Sequence, residues 1–361
     1  MKTRKILFLV PYPLDAAPSQ RFRFEQYFGY LEEANLSYKV SGFFGLQTWS
    51  ILYSSGNFPG KIFGFALGLL RRCIDLFRSL GYDYVFIHRE IAPAGPPFFE
   101  FVIAKIFRKK IIFDFDDAIW LPNSSRENNF IRFFRFYGKT ASVCKWAWKV
   151  SVGNEYLAQW AKQHNKNVLV VPTTVRYEKV NGVKKIEKNR VPVLGWTGSH
   201  STLGYLFGLS TVLNEVYRVS PFRFRLISDR PPSFEIPGLE FVKWSAETEV
   251  TDLLPLDIGL MPLEDNPWTR GKCGLKIIQY LSLSIPALAS PVGVNKDLID
   301  HGKNGFLCST EMEWKDCLIQ LLTNEPLRNE MAEKAPSGIF ESYTNLANKA
   351  KFLHLFSKPE L

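Results

Sequence analysis

The sequence has few cysteines, and their arrangement argues against two kinds of stabilising site. No C-x-x-C pair occurs, and no histidine stands at metal-ligand spacing from any cysteine. A disulfide framework and a structural zinc site are therefore both excluded, and we expect reduced thiols of the kind found in cytosolic proteins. The cysteines are Cys73, Cys144, Cys273, Cys308 and Cys317.

Long apolar runs are also missing. A membrane-spanning helix needs about 20 consecutive apolar residues, and no run approaches that length. The apolar run at residues 6–10 stops at Pro11, which makes it shorter than the roughly 7–15 residues of a secretory signal core. We therefore expect a first buried strand here, no segment that crosses a bilayer, and a cytoplasmic location.

The dinucleotide fingerprint G-x-G-x-x-G follows none of the predicted strands, which argues against an NAD-dependent dehydrogenase. What the sequence has in excess is positive charge, since 45 Lys and Arg against 35 Asp and Glu give a formal charge of +10. Such an excess favours an anionic partner: nucleic acid, an acidic membrane surface or a phosphorylated small molecule. No recognition-motif spacing for RNA or DNA occurs, so no nucleic-acid partner is expected.

At 361 residues the chain is long enough for two domains. Short β-rich apolar runs alternate with helical patterns, which is typical of parallel sheets built from βαβ units. The alternation stops over the polar, charged segment 176–190 and then restarts. The sequence thus predicts an α/β protein with two doubly wound, Rossmann-like domains at 1–175 and 191–338. Residues 176–190 are the expected linker, and 339–361 form a helix that packs back on the first domain.

Six strands are predicted in each domain. Doubly wound sheets bind ligands at the carboxyl ends of their strands, and two such domains that face each other make a cleft. The loops after the strands are therefore where chemistry is expected. The predicted strands are 5–10, 38–43, 84–88, 110–115, 149–152 and 168–171 in the first domain, and 193–196, 223–227, 239–242, 257–261, 287–289 and 305–307 in the second.

The most informative loop follows the predicted strand 257–261. It contains Arg270 and Lys272 beside glycines, and Lys276 lies in the first turn of the next helix. Unbonded N–H groups and the positive dipole end make a helix start an anion site, and cations clustered there suit a diphosphate. First turns usually favour acidic residues, so Lys276 fits a position that an anion occupies. The alternative is a solvated basic loop.

This region resembles the donor-binding part of family 4 (group 1) retaining glycosyltransferases, which have the GT-B fold. Residues 274–279 and 285–290 parallel the family's block GLPLLEAMACGTPVVAS, and the likeness continues through Val292 and Gly293 to residues 304–307. It covers the C-terminal half well and the N-terminal half only by strand order. The resemblance implies two Rossmann-like domains across a cleft, a nucleoside-diphosphate sugar as donor, and retention at the anomeric carbon.

The paired-glutamate motif of that family is altered in this sequence, which marks a divergent branch. The second Glu aligns with Gln279, and the resemblance places this neutral hydrogen-bonding group on the ribose. The first Glu aligns with Gly271, so the usual carboxylate near the donor sugar is missing. Glu264 or Asp265, earlier in the same loop, would then contact the donor sugar.

A second phosphate-binding candidate follows the predicted strand 193–196. A strand, a Gly/Ser/Thr turn and a helix start form a phosphate-cradling layout, and the family has a glycine-containing loop here. Gly198 and Ser199 are therefore predicted to join the diphosphate site. The alternative is that the hydroxyl of Ser199 or Ser201 only caps the helix, and His200 is interpreted as a surface histidine.

Polar clusters follow two predicted strands of the first half. His88 ends the strand 84–88, while Asp116 and Asp117 follow 110–115, near where the family often carries His-Asp. We predict that all three are catalytic, with an aspartate that orients the acceptor hydroxyl or stabilises an oxocarbenium-like transition state. The alternatives are a turn cap and a metal bound at Asp-x-Asp. Enzymes with the GT-B fold generally need no metal, so neither a metal nor another cofactor is expected.

The segment after the first strand lacks the glycine-rich loop that enzymes of this fold usually carry there. Ser19, Arg21 and Arg23 stand at a predicted helix start instead, where they would contact an anionic group. The alternative is that the two arginines form the solvated face of that helix.

Two segments are both basic and aromatic, residues 58–80 and 130–139. They suit an N-terminal domain that rests on an anionic leaflet at the inner face of the membrane and presents a lipid-linked acceptor. The alternative is a pair of ordinary core helices with a basic outer side. The cations of the first segment are Lys61, Arg71, Arg72 and Arg78, and those of the second are Arg132, Arg135 and Lys139.

Together these patterns predict a glycosyltransferase that uses a nucleotide-sugar donor. The acceptor is expected to be a hydroxyl group of a glycan or lipid-linked molecule, in surface-polysaccharide or glycolipid synthesis. The missing first Glu suggests the alternative, an inactive GT-B-like protein that binds a nucleotide or a membrane without turnover.

Overall fold

The computed structural model describes residues 3–52, 56–122, 136–183 and 189–357. The chain divides into two compact units, one made of Met1–Pro172 and Asn348–Leu361, the other of Thr173–Ala347. The first unit thus ends at Pro172 rather than at 175, because Val175 pairs with Thr344 inside the second unit. Only residues 348 onward, and not all of 339–361, belong to the first unit. Within the predicted linker, residues 184–188 lie outside the described residues.

Each unit is built around a six-stranded parallel sheet, so the predicted α/β class is confirmed. The first sheet contains β1 (Arg4–Val10), β2 (Leu36–Gly42), β3 (Tyr84–His88), β4 (Lys110–Phe115), β5 (Lys149–Val152) and β6 (Val168–Val170). The second contains β7 (Val193–Thr197), β8 (Arg223–Ser228), β9 (Leu239–Lys243), β10 (Ile258–Met261), β11 (Ala287–Ala289) and β12 (Gly305–Leu307). The strand orders are β2-β1-β3-β4-β5-β6 and β12-β11-β10-β7-β8-β9.

Helices connect the strands in both units. Those that begin in the first half of the chain are α1 (Pro18–Arg21), α2 (Phe28–Glu33), α3 (Leu46–Leu52), α4 (Phe58–Arg78), α5 (Phe98–Phe101), α6 (Lys139–Trp146), α7 (Glu155–Lys162) and α8 (Tyr177–Val180). The later ones are α9 (Leu203–Phe207), α10 (Ser210–Val219), α11 (Glu249–Leu253), α12 (Pro267–Arg270), α13 (Leu275–Ser282), α14 (Asn295–Leu298), α15 (Glu311–Thr323), α16 (Glu325–Ser342) and α17 (Asn345–His354). Short 3-10 turns lie at Glu25–Tyr27, Ser79–Gly81 and His200–Thr202, and a π turn at Val102–Ile106.

The central strands β1, β3, β4 and β5 of the first sheet are largely buried on both faces, which explains why they are mostly apolar. Residues 6–10 of β1 are all buried. Residues from the other end of the chain complete this core. Phe352 stacks on Tyr27 with ring centroids 4.3 Å apart, and Leu355 and Phe356 are buried in the same cluster.

The second sheet reverses its winding direction at β7. The chain passes from β7 to β8 and β9 on one side and then crosses to β10, β11 and β12 on the other. All strands are parallel, so their carboxyl ends share one edge, and the reversal leaves a crevice where open α/β sheets bind ligands. The loops after β7 and β10 both leave the sheet at this crevice.

The long helix α4 turns its charged residues toward the protein. The guanidinium of Arg72 is buried, and burial lowers the pKa of this group to about 10. Arg71 donates to two backbone carbonyls. The prediction that these two arginines lie on a basic surface is therefore wrong. The acceptors of Arg72 are the carbonyl oxygens of Val10, Ser41 and Ile91 and the carboxylate of Asp75.

The second basic segment lies largely outside the described residues, which resume at Phe136. Lys139 is buried, and its Nζ donates to the carbonyl oxygen of Ala92 at 2.7 Å. It also pairs with the carboxylate of Glu90. Lys139 thus binds inside the unit and does not contribute to the expected basic surface.

Candidate functional site

The second sheet brings the two predicted phosphate loops together. Strands β7 and β10 are hydrogen-bonded neighbours, so the loops that follow them leave the same edge side by side. Two contacts join the end of β7 to helix α13, which follows the second loop: the amide of Thr197 donates to the hydroxyl of Tyr280 at 3.1 Å, and Nζ of Lys276 lies 5.1 Å from the centre of the Trp196 ring. Residues predicted from two separate segments therefore form one candidate site.

Glycine is required at position 198 for space. A Cβ atom there would lie 2.5 Å from the Trp196 ring and 2.9 Å from Oγ1 of Thr202. The Gly198 amide donates to the carbonyl oxygen of Ile227 at 3.0 Å, so it is engaged within the sheet edge. At an anion site, Gly198 would therefore act by letting the backbone of this loop come close to the ligand.

Ser199 precedes a 3-10 turn but makes no side-chain capping bond. Its hydroxyl lies 2.8 Å from the hydroxyl of Ser201, and both face solvent. The alternative of a simple helix cap is therefore wrong for Ser199. One hydroxyl of this pair donates to the other, so the pair has one O–H left to donate to an anion.

His200 has a partner that the sequence did not suggest, Asp229 at the end of β8. The His200 amide donates to the carboxylate at 2.6 Å, and Nδ1 lies 2.5 Å from its other oxygen. Burial opposes ionisation of Asp229, but these contacts outweigh it and hold the pKa of the carboxyl below its usual range. This pair fixes the loop after β7 against β8. A signal in the sequence was the polar Ser228, Asp229 and Arg230 at a strand end.

The loop after β10 contains an ion pair between two residues predicted to serve different parts of the donor. Nε of Arg270 lies 2.6 Å from one oxygen of Asp265, and Nη2 lies 3.1 Å from the other. Both side chains are exposed, and the arginine lowers the pKa of the carboxyl. Glu264, the other candidate carboxylate for the donor sugar, is exposed as well. Arg270 binds Asp265 and not Glu264.

Helix α13 follows its N-cap residue Gly274, whose φ of +70° is the left-handed conformation that glycine adopts readily. A Cβ atom there would lie 2.3 Å from Leu298, so a residue with a side chain does not fit at this position without movement of Leu298. No side chain caps this end of the helix. Lys276 lies in the first turn, and Nζ of Lys272 lies 5.6 Å from the ring centre of Trp268. The helix start thus lies beside two lysines whose ammonium groups rest on indole rings.

Gln279 and Tyr280 follow on the same helix, and both are buried. Among the described residues, no hydrogen bond forms to the side-chain amide of Gln279, which leaves its donor and acceptor for a ligand. The hydroxyl of Tyr280 accepts from Thr197 and donates to the carbonyl oxygen of Leu260 at 3.4 Å. Burial raises the pKa of Tyr280, so the phenol stays neutral and serves as a structural link.

The loop after β11 closes against the same region. A Cβ atom on Gly293 would lie 2.7 Å from the carbonyl oxygen of Arg270, and the φ of +53° at this glycine is left-handed. Ser290 accepts a hydrogen bond from the amide of Leu263 at 2.9 Å, and Asn295 donates to the carbonyl oxygen of Ser290 at 3.0 Å. These residues fix the loops after β10 and β11 to each other. Asn295 was not among the predicted site residues.

Chemically, this arrangement can hold an anion. It combines a helix N-terminus, three cations on one loop and helix start, and a hydroxyl pair on the neighbouring loop. A diphosphate has several charged oxygens and matches such a set better than a single carboxylate does. Within the described ranges, no group of three or more His, Cys, Asp or Glu side chains is placed to hold a metal ion.

In the first unit, His88 lies in a buried network. Its Nδ1 is 2.8 Å from the carboxylate of Asp114, and the hydroxyl of Ser151 donates to the same group at 2.7 Å. Nε2 of His88 is buried and makes no hydrogen bond to any part of the chain that the structure describes. The sequence had suggested that His88 acts together with Asp116 and Asp117. In the structure His88 binds Asp114 instead.

Arg23 completes this network, which corrects both interpretations of that residue. It is buried and pairs with Asp114 at 2.5 Å, so it neither contacts an anionic ligand nor lies on a solvated face. A second contact runs to the carbonyl oxygen of Val171. Burial opposes the charge on Asp114, but Arg23 and His88 outweigh it and hold the pKa of the carboxyl far below its usual range.

Asp116 and Asp117 share one partner, Arg89, which the sequence analysis did not select. Its Nε lies 2.8 Å from Asp116 and its Nη2 lies 2.6 Å from Asp117. Arg89 has a φ of +59°, an uncommon conformation for a residue with a side chain. Burial alone would lower the pKa of Arg89, but the two carboxylates outweigh it and raise the pKa. The signal in the sequence was a cation directly after a buried strand.

Two comparisons of sequence match parts of the chain. Residues 242–338 match the family model described as glycosyl transferases group 1. Over 72 residues the chain is 31% identical to N-acetyl-alpha-D-glucosaminyl L-malate synthase from Bacillus anthracis. That match spans 19% of this chain and 19% of the Bacillus enzyme, so the chain matches about a fifth of its curated relative.

Solved structures resemble the chain over nearly its full length. Sucrose-phosphate synthase from Thermosynechococcus elongatus has a TM-score of 0.71 at 11% identity, covering 98% of both chains. The fold is GT-B. A glycosyltransferase from Rickettsia africae gives 0.67 at 12% identity and covers 99% of this chain and 98% of its own. HepE from Anabaena, in complex with UDP and glucose, gives 0.66 at 13%, covering 98% of this chain and 99% of its own. At these identities the GT-B likeness establishes architecture alone.

Proposed function

We propose that this protein is a glycosyltransferase that moves a sugar from a nucleoside-diphosphate donor to a hydroxyl group of a glycan or lipid-linked acceptor. The observation that carries the proposal is the cationic start of helix α13 at the switch point of the second sheet. This helix lies inside the segment that matches group 1 glycosyl transferases. Structural relatives solved with UDP and UDP-glucose support a donor of this kind.

The proposed chemistry is stabilisation of a leaving diphosphate. As the glycosidic bond breaks, negative charge grows on the diphosphate, and the ammonium groups of Lys272 and Lys276 lower the energy of that state. Arg270 contributes when one of its guanidinium N–H groups stays on Asp265 and another donates to a phosphate oxygen. The side-chain amide of Gln279 binds the ribose hydroxyls, and Glu264 contacts the donor sugar.

For the acceptor, we propose that Asp116 and Asp117 orient the hydroxyl by accepting its hydrogen bond. Each carboxylate accepts a hydrogen bond from the guanidinium of Arg89, which fixes its position. A carboxylate fixed in this way still has oxygen lone pairs that can accept the hydrogen bond of a hydroxyl group. His88 stays a predicted catalytic residue with a buried Nε2.

The direct test is incubation with a panel of UDP, GDP and ADP sugars, with release of the nucleoside diphosphate as the readout. We expect turnover of one donor, and its persistence in EDTA, because no metal is part of the proposed site. The anomeric configuration of the product, read by NMR, should match that of the donor. Binding of UDP or GDP without turnover of any donor would instead support the inactive GT-B-like protein, motivated by Gly271 at the position of the family's first Glu.

A further inference from the structure

Helix α4 is amphipathic, but glycines and charged residues lie on its buried side and large apolar side chains on its exposed side. Its inward side is lined by Gly64, Gly68, Arg72 and Asp75, all buried. A Cβ atom at Gly64 would lie 2.3 Å from the side chain of Thr48, so the helix packs closely through its glycines. Packing thus uses these small and charged residues together with the partly buried Phe65 and Leu69, and the other large apolar side chains of the helix are left for the opposite side.

The outward side of α4 is a continuous apolar stripe. It begins with an adjacent pair of large side chains and continues with one every three or four residues, which places all of them on one face of the helix. Each is between 42% and 70% exposed, far more than helix residues that pack against a core. We call this set the α4 stripe: Ile62, Phe63, Leu67, Leu70, Ile74 and Phe77.

A second apolar group extends the α4 stripe sideways. Phe98, Phe101 and Ile106 are exposed on the segment that follows β3. Phe107 of this segment meets Phe77, with ring centroids 6.5 Å apart. Soluble proteins rarely display contiguous apolar patches of this kind unless another surface covers them.

The charges around this patch have one sign. Within residues 58–78 and 98–110 the carboxylates are Asp75 and Glu100, and both are buried. The cations at the surface of these segments include Lys105, Arg108 and Lys110, which are exposed. Lys109 lies between them and donates to the carbonyl oxygen of Leu80 at 2.7 Å, which holds the basic segment beside the end of the helix.

We propose that the α4 stripe lies in the interface of an anionic lipid membrane. Among the described residues, no helix is long and apolar enough to cross a bilayer. A helix of 21 residues with an apolar face and a cationic border instead lies flat, with that face buried among headgroups and the first acyl carbons. Exposed Lys and Arg side chains beside it are attracted to anionic headgroups, whereas a protein partner would need acidic residues to match them. This surface involves none of the residues of the proposed donor site.

The test is co-sedimentation of the full chain with vesicles of phosphatidylglycerol and phosphatidylcholine, compared with phosphatidylcholine alone. The double variant Phe63→Ser with Leu70→Ser removes apolar area from the α4 stripe, and Lys105→Glu with Arg108→Glu reverses two border charges. We expect each double variant to weaken partitioning onto the anionic vesicles at least ~10-fold. The matched control Phe207→Ser changes an exposed phenylalanine of the second unit and should bind as the parent does.

Circular dichroism and the midpoint of urea unfolding verify that each variant is folded, and neither readout needs transferase activity or a bound nucleotide. Parent protein that stays in the supernatant with anionic vesicles would overturn the proposal. Equal binding to vesicles of phosphatidylcholine alone would show that the α4 stripe does not require an anionic lipid, which contradicts that part of the proposal. A concentration-dependent dimer that the Phe63→Ser, Leu70→Ser variant abolishes, in the absence of vesicle binding, would assign the α4 stripe to a second copy of this chain.

Discussion

Lys276 holds its ammonium group 5.1 Å from the centre of the Trp196 ring. The lysine comes from the first turn of helix α13, and the indole is buried at the end of β7. A contact of this type contributes about 0.5–2 kcal/mol, depending on how much water it excludes. The ring thus places a positive charge at the start of the helix before any ligand arrives, and less side-chain entropy is lost when an anion binds.

Replacement of Lys276 by alanine should weaken binding of UDP and GDP. A hydrogen bond to a charged group contributes about 1.5–3 kcal/mol, which corresponds to a Kd raised roughly 10- to 100-fold. Isothermal titration calorimetry measures this directly. The matched control is Lys315→Ala, which removes a lysine of the same unit that pairs with Glu215 at the surface. Equal Kd values for parent and Lys276→Ala would show that the diphosphate binds elsewhere.

Gln279 should discriminate between a nucleotide and bare pyrophosphate. Its amide makes no hydrogen bond within the described residues, and we place the ribose there. Gln279→Ala is expected to raise the Kd for UDP by about 10-fold, the effect of one or two lost hydrogen bonds. Binding of inorganic pyrophosphate to the same variant should stay within about twofold of the parent, since the cations are untouched. A parallel loss for both ligands would mean that Gln279 supports the fold and not the ribose.

The Arg23–Asp114 pair should dominate the acid sensitivity of the first unit. Asp114→Asn leaves a buried guanidinium without its counter-charge, and we expect a loss of about 3–5 kcal/mol in the free energy of unfolding in urea. The control Glu240→Gln weakens a partly exposed cluster with Arg223 and Arg225, so it should cost less than the loss of the buried Asp114 charge does.

The pH dependence of that stability follows from the sign of the shift. The folded-state pKa of Asp114 lies below its unfolded value. Its contribution is therefore fully present above the unfolded pKa, near 4, and is lost as the pH falls from there through the lowered folded value. Unfolding free energies of the parent should decline across this range, and Asp114→Asn should decline less steeply. Identical slopes for both proteins would contradict the assignment.

Gly274→Ala should damage the start of helix α13. A side chain at positive φ costs about 1–2 kcal/mol, and here the added Cβ would also lie 2.3 Å from Leu298. Gly302→Ala is the matched control, because Gly302 has a φ of +83° but nothing within 4 Å of a built Cβ. We expect Gly274→Ala to be at least ~1 kcal/mol less stable than the control in urea unfolding, with weaker binding of UDP. Equal stabilities would mean that Leu298 moves aside at no cost.

The strands were predictable because buried parallel strands are short apolar runs between polar loops. β3 and β4 begin and end where the sequence placed them, and β10 differs by one residue at its start. The direction in which a helix faces was not predictable in the same way. The apolar period of α4 is compatible with either side inward, and only the packing of Gly64 and Arg72 against neighbouring elements decides the matter.

For the candidate site, sequence reasoning found segments but not partners. The loop that carries Arg270 and Lys276 was recognised because cations and glycines cluster there within a few residues. Partners from distant segments carry no such local signal. Asp229 approaches His200 only because β7 and β8 are neighbours, and Asp116 meets Arg89 only because β3 and β4 are.

The first unit is assembled from both ends of the chain. Phe352, Leu355 and Phe356 fill its core, yet the ribosome makes them after the whole second unit. Until then the sheet that contains Phe8 and Phe86 lacks part of its apolar cover and stays exposed to chaperones and proteases during synthesis. The second unit, which is continuous in sequence, is complete when it leaves the ribosome. We therefore expect a nascent chain that stops before residue 348 to present a finished second unit beside an unfinished first one.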